Sequence, residues 1–191
     1  MNRRKAIYSL MLLGAGSVAT YTGYKIYQVN KKPNLMFLDE HVDLIAALTE
    51  NIIPRTDTPG AIDTGSPAIL IAMIKNNADR KTQNNFIDGL KELLHYSTDK
   101  NDQSFATLPF ATQQQIVKVF YEKGKNYAGK SGKVKNKILG KSFFEILKQY
   151  TSIAYCTSKE GASIGLAYDY IPGKFEGCVP LRPGQKSWAT K

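Results

Sequence analysis

Apolar side chains recur at helical spacing along most of this chain, and no alternating, β-branched run is long enough to anchor a sheet. Helices must therefore supply the fold. Val42, Ile45, Ala46, Thr49, Ile52 and Ile53 share one helical face until Pro54 stops the run, with Leu38 and Asp39 placed as staple residue and N-cap. Thr58-Pro59-Gly60 then supplies turn chemistry, proline fixing one φ and glycine free to take a positive one, which makes RTDTPGAIDTG an ordered loop. Ser66 as cap and Pro67 as first helical residue open a second helix through Ile69, Leu70, Met73 and Ile74. A third, over 82–95, turns Phe86, Ile87, Leu90, Leu93 and Leu94 to one side, with Gly89 a weak point in it. The fourth, over 109–122, buries Ile116, Val117, Val119 and Phe120, and the fifth, over 142–155, uses Phe143, Phe144, Leu147, Tyr150, Thr151 and Ala154. The expected fold is all-α: a compact irregular bundle of about five helices with a loop-rich C-terminal tail.

With 191 residues, 42% of them hydrophobic, the chain can bury one core, and its length favours a single domain, here 31–191, behind a separate segment over 1–30. The formal charge of +10 is unevenly placed: seven lysines fall between Lys123 and Lys141 with no acidic residue among them. Such an excess fits an acidic partner, a membrane or a nucleic acid rather than dictating a fold. The segment 123–141 reads as a lysine-rich variable loop. At the other end, Arg3 and Arg4 precede an uncharged, moderately apolar run over 6–24. Paired arginines before such a run resemble a twin-arginine export signal, with cleavage after Ser17-Val18-Ala19 and retention as a membrane anchor both open.

One stretch, GKNYAGKS over 124–131, has the spacing of a phosphate-binding loop. A phosphate loop needs an apolar strand before it and a helix packed on a sheet after it. QQQIVKVFYEK reads as an amphipathic helix, and GKVKNK is too polar to pack on a sheet, so the spacing is accidental. A nucleotide site would also lie outside the ATP-containing compartment of an exported protein. His41 and His95 fall in separate helices without further ligands at metal-binding spacing, and Asp39, Glu40 and Asp43 are accounted for by the helix dipole. No nucleophile elbow, zincin motif or dinucleotide glycine pattern occurs. No catalytic, cofactor-binding or metal-ligating residue is therefore expected.

Two segments carry a resemblance. Ile53-Pro54 with Thr56-Asp57-Thr58-Pro59-Gly60-Ala61 and Gly65-Ser66-Pro67 come first. Thr157-Ser158 with Gly161-Ala162, Tyr168-Asp169, Pro172-Gly173, Gly177-Cys178-Val179-Pro180 and Trp188 follow in the C-terminal quarter. In this order they resemble the small subunit of membrane-bound gluconate 2-dehydrogenase, the subunit 3 family shared with related sugar and polyol dehydrogenases. That resemblance implies a non-catalytic chain that escorts and stabilises a separate large subunit holding FAD, with a cytochrome c subunit holding haem c as electron acceptor. It also implies a periplasmic, membrane-associated complex reached through the twin-arginine machinery.

Such a chain needs an interface, and the tail offers Tyr168, Tyr170, Pro172, Phe175, Pro180 and Trp188. Phe143, Phe144 and Tyr150 are assigned to the core instead. Cys156 and Cys178 would meet an oxidising compartment after export. An internal bridge between them is the expected pairing; the rival is a bond from Cys178 to the large subunit, leaving Cys156 a buried thiol. The alternative to the subunit reading is an independent basic protein whose lysine run binds anionic membrane or nucleic acid. That run holds one aromatic, Tyr127, and no arginine, which argues against nucleic acid.

Overall fold

The computed structural model describes residues 20–125 and 129–168 and, in the tail, 170, 171, 173, 174, 177, 178, 180, 181 and 183–189. Eight α-helices follow one another among them: α1 (20–30), α2 (Met36–Glu40), α3 (Val42–Ile52), α4 (Ser66–Asn76), α5 (Arg80–Asn101), α6 (Phe110–Lys125), α7 (Gly129–Leu139) and α8 (Phe143–Thr157). A 3-10 turn (Phe105–Thr107) leads into α6, and a π turn (Gly161–Gly165) follows α8. The sole β pairing among the described residues is an isolated bridge between Ala167 and Trp188. The fold is all-α, as expected, with more helices than the five read from periodicity.

Three differences account for the larger number. The first expected helix is broken at His41, whose φ of −124° and ψ of 36° separate α2 from α3. The His41 ring stacks on Phe37 at 4.0 Å and its Nδ1 lies 2.9 Å from the Phe37 carbonyl. Asp39 is consequently no N-cap; it lies within α2 and pairs with Lys75 of α4 at 2.9 Å, while Leu38 is a core residue. Second, α1 lies within the segment assigned to export. Third, the lysine-rich stretch expected as a loop contains α7. Lysine is a good helix former, and Asn85 of α5 fixes the end of α7 by donating to the carbonyls of Leu139 (2.8 Å) and Lys141 (3.0 Å).

Helix α8 is the central element, packing on α3, α4, α5 and α6. Ser142 caps its start, accepting from the Glu145 amide, and Ile146, Leu147, Thr151, Ala154 and Tyr155 are buried. Ile146, Leu147 and Ala154 meet Ile45 and Leu48 of α3, Leu70 and Ile74 of α4, and Phe86, Leu90 and Leu93 of α5 in one core. Phe143 joins that core against Phe86 and Phe120, Tyr150 packs at its edge, and half-buried Phe144 sits edge-on to Tyr121. Helix α5 extends to Asn101, past the expected end, because Ser97 is still fully buried and Tyr96 meets Phe120 edge-on. Gln83, Asn84 and Gln113 are buried polar residues whose amides all donate to main-chain carbonyls, so the core carries them without loss. Val117 and Val119, expected buried, are only half buried.

Candidate partner interface

An exposed apolar surface follows the C-terminal end of α8, and a clamped loop prepares it. Glu50, near the end of α3, accepts from the amides of Arg55 (2.8 Å) and Ile62 (2.9 Å) through its two carboxylate oxygens. Asp63 accepts from the Gly60 amide at 3.0 Å and pairs with Arg55 at 3.5 Å. A Cβ on Gly60 would overlap the Glu50 carboxylate, so glycine is required where the loop closes on its clamp. Gly65, at φ 66°, then turns the chain into α4, one residue before the cap expected at Ser66. Ser66 is instead buried in the first turn, sharing a 2.7 Å hydrogen bond with Thr64.

Tyr155 joins this loop to the tail. Its hydroxyl donates to the Pro59 carbonyl at 2.9 Å, and its ring is buried beneath the π turn. Gly161 and Gly165 both leave room for it: a Cβ on the first would strike the Tyr155 carbonyl, and on the second the Tyr155 hydroxyl. Ser158 completes the turn by donating to the Tyr155 carbonyl (2.7 Å) and accepting from the Gly161 amide (3.0 Å). From there the tail leaves the body and returns. Ala167 donates to the Ser187 carbonyl and accepts from the Ala189 amide, each at 2.8 Å, while Lys186 donates to the Ile164 carbonyl.

The described residues between Ala167 and Ser187 are all exposed. Tyr170 is 83% exposed, Leu181 86% and Trp188 57%, with Tyr168 and Ile171 also more than half exposed and Ile164 just under half. None of these side chains returns to the chain's own core. Tyr168, Tyr170, Pro180 and Trp188 therefore stand where a partner can reach them, whereas Pro172 and Phe175 lie outside the described residues, as do Arg3 and Arg4. The Ala167–Trp188 bridge draws Tyr168 and Trp188 to one end of the molecule. Ile171 and Leu181 were not foreseen, since a lone aliphatic residue in a loop has no period to betray it.

Cys156, on α8, and Cys178, in the tail, are both exposed free thiols, so neither the internal bridge nor a buried Cys156 is seen. Among the described residues no three His, Cys, Asp or Glu side chains converge on a point that would hold a metal. His95 pairs with Asp99 on the surface of α5 at 3.2 Å. The phosphate-loop spacing falls across the α6–α7 junction: Gly124 lies within α6, and Gly129, Lys130 and Ser131 begin α7, so a helix leads in where a strand is required.

A helical body that closes a clamped loop and a glycine-rich turn around one buried tyrosine, and then offers an apolar excursion to solvent, defines a surface-presenting protein. The family model described as Gluconate 2-dehydrogenase subunit 3 matches residues 39–173, and the chain belongs to that family. Comparison with curated proteins and with solved structures finds no match. The matched stretch includes the loop, Tyr155 and Tyr170, while Leu181 and Trp188 lie beyond it.

Proposed function

We propose that this chain is the non-catalytic small subunit of an exported, membrane-associated FAD-dependent dehydrogenase, which it escorts through twin-arginine export and then stabilises in the periplasm. The observation that carries this reading is the exposed tail. Large rigid side chains held on a fixed base bury much area on a partner at low entropic cost. Family membership supports the coarser part, a subunit associated with others in a gluconate 2-dehydrogenase complex. In this proposal FAD resides in the large subunit and haem c in a cytochrome subunit that accepts the electrons. The paired Arg3 and Arg4 before the uncharged run support the route, since only a folding-tolerant export path admits a flavin-loaded passenger.

The test is purification of this chain from the periplasm of cells producing the whole complex, with FAD absorbance as the readout. Tyr170→Asp with Leu181→Asp places charge in the apolar excursion without touching the core, and co-purified FAD should fall on the order of tenfold. Undiminished FAD in that variant overturns the tail as the interface. Arg3→Lys with Arg4→Lys keeps the charge but removes the planar guanidinium pair. Both proteins should then accumulate in the cytoplasm, and normal periplasmic flavoprotein would overturn the escort role.

A further inference from the structure

Helix α1 presents an aromatic face that the body does not cover. Tyr21, Tyr24 and Tyr27 are each more than half exposed, while Val29 at the far end is buried. The carbonyls of Val29 and Lys31 both accept from the Asn84 amide, at 3.1 and 2.8 Å. The helix is thus fastened at its C-terminal end, and its bare tyrosines lie over the turns that join the uncharged run 6–24.

Beside that junction lies the basic helix. Tyr21 and Lys25 of α1 share one groove of about 400 Å³ with Lys135 and Leu139 of α7. On α7, Lys133 and Lys137 are exposed, and so are Val134 and Ile138, one turn apart. The acidic residues bordering the groove are Asp88 and Glu92, and Glu92 is paired with Lys123 at 2.7 Å. Lys25, Lys135 and Lys141 line the same groove, so its rim has a net positive formal charge beside Tyr21.

We propose that the α1–α7 edge is a docking surface for an anionic lipid bilayer, with the α7 lysines at the level of the headgroup phosphates and the α1 tyrosines in the interfacial layer. Amphipathic aromatic rings favour that layer, and basic side chains close to it are drawn by anionic lipid. A helix combining lysines with exposed Val134 and Ile138 suits a boundary between charge and hydrocarbon. Nucleic acid would instead call for arginines and stacking rings, and α7 has neither. The edge and the tail interface are separate: the groove reaches Ser142, Phe143 and Phe144 at the start of α8, and the tail departs from its far end. The inference does not rest on the flavoprotein reading.

Co-flotation of the full chain with vesicles tests it. Replacing part of the phosphatidylcholine by phosphatidylglycerol should tighten partition on the order of tenfold, and raised ionic strength should remove that gain. Lys133→Gln with Lys137→Gln should abolish the phosphatidylglycerol-dependent gain and leave partition into pure phosphatidylcholine unchanged. Tyr24→Ser with Tyr27→Ser should weaken both. A salt-insensitive gain, or a gain retained in the lysine variant, overturns the proposal. So does lysine-dependent binding of duplex DNA that displaces the vesicles. The charged tail variants should float as the native chain does, and the lysine variant should still co-purify FAD, which keeps failure of this inference distinct from failure of the flavoprotein reading.

Discussion

Gly89 marks where helix propensity and packing disagree. As a residue in the middle of α5 it weakens the helix, yet a Cβ there would overlap the Phe143 ring entering from α8. Gly89→Ala should therefore destabilise the chain by about 1–3 kcal/mol despite alanine's better propensity, measured as a lowered urea midpoint. A raised midpoint would show that Phe143 can move aside. Only the propensity term is readable in the sequence, because the clash depends on a side chain from another helix. The same holds for Gly60, Gly161 and Gly165, each emptied for a carboxylate or for Tyr155. Glu50 and Tyr155 look ordinary in their helices, although the first clamps the loop and the second joins loop to tail.

Helices α4, α5, α6 and α8 are legible from apolar periodicity because each turns one stripe to a common core. Helix α7 is not, since its lysines obscure any stripe and its anchorage comes from Asn85 of α5. The break between α2 and α3 escapes for a similar reason: the Phe37–His41 stack decides it, not a proline or glycine. In the tail, the aromatic residues and the cysteines are visible while their arrangement is not, because a segment without regular period gives no rule for which side faces out. Both thiols are exposed; Cys178 lies in the excursion proposed to meet the large subunit, and Cys156 near the end of α8. Neither thiol is paired within the chain, so on a non-reducing gel of the exported complex this chain should run as a monomer with the same mobility as its reduced form. A band at the summed mass of both subunits, lost in Cys178→Ser and kept in Cys156→Ser, would assign Cys178 a bond to the partner instead.

The whole molecule is organised along α8, whose 15 residues span about 22 Å. The groove between α1 and α7 opens at its beginning and the apolar excursion at its end, so the two proposed surfaces do not compete for space. Core residues from four other helices hold the axis between them, which makes the separation a fixed property of the packed bundle.

Trp188 is the chain's single tryptophan, and it is 57% exposed at the mouth of the excursion. All indole emission from this protein thus originates at one known place. The free chain should emit at long wavelength, and core melting, which leaves an already hydrated indole hydrated, should shift the maximum little. Docking of a flavoprotein should move it to the blue and dim it, because flavin absorbs where indole emits. Vesicle binding through α1 and α7 should leave it unchanged. The tail is in effect a built-in optical probe, silent to unfolding and to lipid and responsive to a yellow partner.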